Sequence, residues 1–345
     1  MIEPKKGIFT MQEAKRLAVV QSVIDKRRTG VEAARMLKLS ERQTRRLVAA
    51  VRRDGAQGII HGNRHNANHC KYSAELKEHI IELKQSKDYS LCNFTQFQEF
   101  LEEREGIQIR YPSLYQCLRT AGIVSKNSHK PRKTHRTRAR RSRMGSLAQT
   151  DGTPEDWFGS GEKQSLMGHI DDATGTILGL YMCEHECLAG YLEATRQMLI
   201  KFGIPKQLYP DKHSIFFSSK SQKLTIEEEL AGKSKPTTQF GAIMDTLGVE
   251  MLPAPTPQAK GRIERLWRTL QDRLPVEFRL NGITTIEEAN RFLQDVFIDK
   301  FNKRFTVAPA DLESDFVPVP DYIDLDLLLT AKLTRTIDNA GRFQI

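Results

Sequence analysis

Three carboxylates fall where phosphoryl chemistry can use them. Asp151 closes the run "SLAQTD", Asp211 closes "IPKQLYPD", and Glu264 opens the helix-like stretch "QAKGRIERLWRTLQDRL" over residues 258–274. Each aspartate ends a predicted strand ahead of a loop, and in α/β sheets the strand ends are where sites assemble. Hard oxygen donors from three separate segments suit Mg²⁺ or Mn²⁺. Two such ions, roughly 3.5–4 Å apart, activate a nucleophile and stabilise a leaving oxygen in phosphoryl transfer.

Glu264 needs a helix to present it. Ile263, Leu266, Trp267, Leu270 and Leu274 recur at spacings of three and four, the stripe a helix buries. Glu264 borders that stripe among Arg262, Arg265 and Arg268. An i,i+4 pair with Arg268 contributes only about 0.3–0.5 kcal/mol. The sharper reading turns that edge of the helix toward the two aspartates.

The elements around these residues follow from pattern. "QSLMGHIDDATGTILGLYM" predicts two strands joined by a turn at Asp172–Gly175, and Asp171 and Asp172 suit that turn better than a site. A helix follows in "CLAGYLEATRQMLIKFG", then a polar insertion with a short helix over 219–237, a helix in "TTQFGAIMDTLG" and a strand in "VEMLPA". Glu155 and Asp156 lie in the loop after Asp151, Asp245 lies mid-helix, and Glu250 is expected to face solvent. His213 stands two residues past Asp211, either near the reacting phosphate or anchoring its loop.

Ahead of residue 145 the texture is helical and basic. The 345 residues carry 53 Lys and Arg against 43 Asp and Glu, a net charge of +10, which favours a polyanionic partner. Thr10-x-x-Glu13, Thr29-x-x-Glu32 and Ser40-x-x-Gln43 match capping boxes, each before an apolar-periodic run. The runs "VEAARML" and "ERQTRRLVAAVRR" are separated only by "KLS", the helix-turn-helix pattern. The second helix is expected to bury Leu47, Val48 and Val51 and to expose Arg42, Gln43, Arg45, Arg46 and Arg52. Arg and Gln read base edges, so DNA binding outweighs a generic basic hairpin. Residues 59–69 read as a solvated linker despite their three His. Helices are expected over 74–85 and 96–104, with a third in "YPSLYQCLRTAG", a second helix-turn-helix in which Tyr115, Gln116 and Arg119 face DNA. Residues 126–143 hold nine Lys or Arg and no acid, Arg138, Arg140 and Arg141 among them. Such a block is solvated alone and orders on phosphate. Charge does not separate DNA from RNA.

Some classes are disfavoured. No run of about 18 apolar residues occurs, and the first fifteen residues lack a signal core. Five cysteines, an odd number, fit a reducing compartment better than a disulfide framework. Cys183-x3-Cys187 with His185 lacks a second ligand pair, so ordinary thiols are preferred to a zinc site.

The segments "QTDGTPEDWF", "HIDDATG", "YPDKHSIF", "TQFG", "PQAKGRIERLWRTLQDRLP" and "FNKRFTVAPA" together resemble the catalytic core of DDE transposases of the ISNCY insertion-sequence type, and of retroviral integrases. The resemblance spans about residues 147–310 and is most specific around Glu264. It implies an α/β RNase H-like core, a mixed sheet with flanking helices, behind all-α helix-turn-helix units. It implies that Asp151, Asp211 and Glu264 bind two Mg²⁺ (or Mn²⁺) ions. The implied activity is cutting double-stranded DNA at terminal inverted repeats and joining the freed 3′-hydroxyl to target DNA. A homo-oligomer on DNA, in a cytoplasmic, nucleoid-associated setting, is expected with it. Arg268 and Gln271, one and two turns beyond Glu264 on the same edge, are expected beside the cut phosphate. A DNA-binding regulator with a dead core and a structure-specific nuclease are the rival readings.

The expected divisions are 1–58 (helix-turn-helix), 59–125 (second helical unit), 126–145 (basic linker), 146–310 (catalytic core) and 311–345. The tail holds "KLTRTI", a turn at Asn339-Ala340-Gly341 and "RFQI". That is the start of a hairpin, and by the resemblance a small β-barrel that is cut short.

Overall fold

A computed structural model describes residues 9–61, 72–125, 138–218, 236–254 and 260–332. The hairpin expected beyond residue 332 and most of the basic block therefore lie outside the described residues. The chain divides into two compact units, Met1–Glu78 and His79–Ile345. The boundary runs through helix α4 (Ala74–Gln85).

The first unit is three helices, α1 (Met11–Ile24), α2 (Gly30–Leu37) and α3 (Glu41–Asp54), closed by a 3₁₀ turn at Gly55–Ile59. Both Thr10–Glu13 and Thr29–Glu32 form reciprocal capping boxes. Ser40 caps α3 by accepting the Gln43 N–H. Lys38, in the left-handed region at φ 53°, ends α2 and turns the chain into α3. Val20, Val51 and Ile59 are buried, and Leu47 and Val48 are only half-buried. The departure on α3 is Thr44, buried with its hydroxyl bonded to the Ser40 carbonyl. Arg42, Gln43, Arg45, Arg46 and Arg52 are exposed.

The second unit is built on a five-stranded mixed sheet of order β3-β2-β1-β4-β5. The strands are β1 (Ala148–Glu155), β2 (Gln164–Asp171), β3 (Ile177–Cys183), β4 (Gln207–Tyr209) and β5 (Glu250–Met251). The first three pair antiparallel, while β4 and β5 add in parallel. β2 is buried along its whole length. Its side chains alternate: Leu166 and Ile170 enter one core and Met167 the other. One core is covered by α9 (Gly261–Leu280), α10 (Ile286–Phe292) and α11 (Ile298–Phe305). The other is covered by α7 (Leu188–Lys201) and α8 (Gln239–Thr246), with α12 (Leu325–Leu328) at its margin. The sheet thus has helices on both faces. Gly179 lets α7 lie flat on β3, since a Cβ there would stand 2.2 Å from the Ala194 carbonyl oxygen. Among the described residues no helix is long and apolar enough to cross a membrane.

Two elements exceed their expected length. β1 runs on past Asp151 to Glu155, so Asp151 lies within the strand. Beyond Gln149 β1 is paired on one side only, which is where a strand tolerates Pro154. Helix α9 continues through Pro275 to Leu280. Val276 and Phe278 are buried there, and tertiary packing outweighs the lost backbone donor.

Helices α5 (Phe94–Glu103) and α6 (Tyr111–Thr120) belong to the second unit, and α5 is bolted to α9. Arg273 meets Glu99 through two 2.7 Å bonds, with side chains 7% and 2% exposed. Arg304 adds a contact to Glu99 at 2.9 Å. Gln96 donates to the Arg273 carbonyl, Asn93 to Asp272, and Arg104 to Asn281. Removing one member of a buried ion pair strands the other charge, at a cost of about 3–5 kcal/mol. Glu99→Gln should therefore lower the unfolding free energy from urea titration by that margin, whereas Glu102→Gln on the exposed side should leave it within about 0.5 kcal/mol.

Candidate active site

The burial of α9's apolar stripe lays the helix along β1, and the polar contacts follow in register. The Ile263 N–H, in the first turn, donates to the Gln149 side-chain oxygen at 3.2 Å. Lys260 stands at the N-cap without a side-chain cap bond, so the sheet supplies one of the acceptors the helix start lacks. Trp267 Nε1 donates to Asp151 Oδ2 at 3.2 Å, and Gln271 Nε2 to Thr153 Oγ1 at 3.1 Å. Asp151 is thereby held by a helix as well as by its strand.

The Lys260 side chain is 5% exposed and points to the same place. Its ammonium lies 2.6 Å from Asp151 Oδ1, 3.7 Å from Asp211 Oδ2 and 3.4 Å from the Thr150 carbonyl oxygen. Asp211, on the loop after β4, accepts the His213 N–H at 2.9 Å, and the His213 ring accepts the Ile215 N–H. His213 is thus a loop anchor. Burial pushes the Asp151 carboxyl above its ordinary range, and nearby Asp211 adds to the rise. The Lys260 ammonium and the Trp267 N–H pull the other way.

Asp151 and Asp211 are brought together; Glu264 is not joined to them. Glu264 stands one turn after Lys260 and one before Trp267, with its side chain exposed. Among the described residues no three of His, Cys, Asp and Glu gather closely enough to hold a metal ion. Arg268 is exposed, and Gln271 is committed to Thr153.

The neighbouring wall is equally specific. Gly152 has no room for a side chain, since a Cβ would meet Tyr191 Oη at 2.9 Å and Glu186 Oε1 at 3.2 Å. The buried Tyr191 hydroxyl donates to Glu186 at 2.6 Å. Thr150 faces His169 Nδ1 at 2.7 Å, and His169 Nε2 faces Thr195 Oγ1 at 3.0 Å. The Thr195 hydroxyl donates to the Tyr191 carbonyl. It therefore accepts from His169 Nε2–H, which leaves Nδ1 to accept from Thr150. Burial pushes the neutral imidazole down to about 4.

Arg138, Arg140 and Arg141 of the basic block are exposed and also bond to the core. The fully buried Asp172 bonds Arg138, Arg262 Nε at 2.7 Å, the Arg141 N–H at 2.9 Å and Gln149 Nε2 at 2.8 Å. Arg140 donates to the Ala173 carbonyl at 2.9 Å, and Arg141 to the Gln207 side chain at 3.2 Å. Asp171 accepts from Gly145 and Thr174, the turn role expected of it. Glu250 faces solvent as expected and also accepts from Gln207. Tyr115 and Arg119 stack at 5.9 Å. They line an open groove of about 1200 Å³ between α5, α6 and α9, with Gln116, Phe94 and Thr269. Lys260, Gln149, Glu186, Tyr191 and the His169 relay carry no spacing signal. Only the presence of a Lys four residues before Glu264 was open to sequence reading.

No family model matches the chain. The transposase for insertion sequence IS1202 of Streptococcus pneumoniae is 33% identical over 368 residues, covering 97% of this chain and 77% of that protein. The candidate transposase y4bF of Sinorhizobium fredii is 35% identical over 324 residues, covering 92% and 68%. A chain of the simian T-cell lymphotropic virus intasome in complex with PP2A regulatory subunit B56 gamma aligns at TM-score 0.32 and 14% identity, over 63% of this chain and 69% of that one. The HTLV-2 integrase catalytic core domain in complex with magnesium aligns at TM-score 0.32 and 14% identity, over 45% and 88%. Superpositions this loose carry no argument.

The His169 relay predicts a pH dependence. The unfolded imidazole takes up a proton near pH 6.5 and the folded one only near 4. Stability is therefore lost as pH falls between those values, by roughly 2–3 kcal/mol at pH 4.5. In urea unfolding the parent chain should lose about that much more stability between pH 7 and pH 4.5 than His169→Gln does.

Proposed function

The chain belongs to the DDE transposases of insertion sequences, and on that premise we propose that Asp151, Asp211 and Glu264 are the carboxylates with which it cuts and joins DNA. The reading is carried by one observation: a buried ammonium bridges Asp151 and Asp211. Two carboxylates that share one cation offer the hard oxygen donors that suit Mg²⁺ or Mn²⁺. Lys260 Nζ stands in here for such an ion, so the donor set fits the group. When bound, two such ions activate the attacking oxygen and stabilise the leaving one.

The chain's own residues do the positioning. Trp267 fixes one oxygen of Asp151, and the His213 N–H fixes one oxygen of Asp211. Glu264 joins them from the first turn of α9 by side-chain rotation. Arg268, exposed on that helix, meets backbone phosphate. Water attacks first and a 3′-hydroxyl second. In-line attack at phosphorus needs no covalent enzyme intermediate.

The first unit reads the terminal inverted repeats as a helix-turn-helix. Support comes from the capped α2–turn–α3 pair and the exposed Arg42, Gln43, Arg45 and Arg46. Tyr115 and Arg119 give the second unit a further DNA-facing surface, and the exposed Arg138, Arg140 and Arg141 meet DNA backbone as well. Two ends held together call for a homo-oligomer on DNA.

Two measurements test this. Asp151→Asn, Asp211→Asn and Glu264→Gln should each abolish cleavage and strand transfer of an end oligonucleotide in Mg²⁺ while retaining end binding. Near wild-type cleavage by any one removes that residue from the set. Replacing Arg42, Arg45 and Arg46 with Ala should cost roughly 1–3 kcal/mol per base-reading contact and relax end specificity; retained specificity would place recognition elsewhere.

A further inference from the structure

Among the described residues Lys260 is the buried cation in contact with the two aspartates. Its ammonium has three donors and no acceptor, and they face Asp151 Oδ1, Asp211 Oδ2 and the Thr150 carbonyl oxygen. The chain places this side chain one turn ahead of Glu264, at the start of α9. Without it, Asp151 would lie under the Trp267 indole with only 20% of its side chain in water and the negative Asp211 nearby. Lysine suits such a post because its charge is compact and its stem is flexible.

We infer that Lys260 is a resident counter-cation that holds Asp151 and Asp211 together in the metal-free protein and is displaced when a divalent ion binds there. This rests on the reading of the two aspartates as metal ligands. An ammonium and a divalent ion a few ångströms apart compete for the same oxygens, because their mutual repulsion in a half-buried site is screened less than in water. Metal loading therefore exchanges one cation for another. The carboxylates are never left facing each other unpaired, and the freed ammonium, on a four-carbon tether, adds one positive charge at the rim where DNA phosphate arrives. Lys260 thus links metal occupancy to DNA affinity, as a positioning residue.

The test is titration of the full-length chain with Mn²⁺ alone, without DNA, followed by calorimetry. Lys260→Met should bind Mn²⁺ about tenfold or more tightly than the parent chain, because the competing charge is gone. Its metal-free melting temperature should fall, and Mn²⁺ should restore it. Lys260→Arg keeps a competing cation and should bind Mn²⁺ close to the parent affinity, which guards against a poorly folded Met variant. Unchanged or weaker Mn²⁺ binding by a folded Lys260→Met, with binding still lost in Asp151→Asn, overturns the exchange and leaves the carboxylate reading standing. Parent-like Mn²⁺ binding by both Asp151→Asn and Asp211→Asn overturns the carboxylate reading, and the exchange with it.

Discussion

Everything at the site depends on where α9 comes to rest. Its apolar stripe, Ile263 through Leu274, is buried in the core beneath β1 and β2. A fully buried Leu or Ile side chain is stabilised by about 1.5–3 kcal/mol, and several such residues fix the rotation of the helix about its axis. With that rotation set, Lys260, Trp267 and Gln271 meet β1, and two of them hold Asp151.

The chain is strongly basic, yet much of its positive charge is used internally. Asp172 is buried with Arg138, Arg262 and the Arg141 N–H around it. Glu99 takes Arg273 and Arg304. Net charge alone would assign all of these to a nucleic-acid surface. Two buried acids claim them as partners, even where Arg138 and Arg304 stay 40% and 44% exposed, since a lone buried carboxylate is far costlier than a paired one. The exposed arginines of α3 have no such buried acid beside them and remain outward.

Local features were legible in the sequence. The threonine caps, the α9 stripe, the Asp171 turn and the alternation of strands with helices each depend on residues a few positions apart. What was not legible depends on distance along the chain. Arg273 and Glu99 are separated by 174 residues, and no spacing rule connects them. The polar role of Trp267 was hidden by its membership of an apolar stripe. Lys260 sits in a Pro- and Gly-rich approach that reads as loop. β1 overran its expected end because strand pairing with β2, not composition, sets its length. Asp151 and Asp211, read as carboxylates of one site, meet at the Lys260 ammonium, while Glu264 is exposed and makes no third member of a cluster among the described residues; periodicity fixes only the edge a side chain occupies, not its torsions.

The bolts at the two ends of α9 have a mechanical meaning. Gln149 grips its first turn, and Glu99 and Arg104 grip its last part through Arg273 and Asn281. Twenty residues make a strut roughly 30 Å long, pinned at both ends and wedged along its middle by Trp267 and Leu270. Such a strut neither slides nor spins without breaking buried bonds at one terminus. Any approach of Glu264 to Asp151 must then come from the three side-chain torsions of Glu264, while the scaffold beneath it stays still.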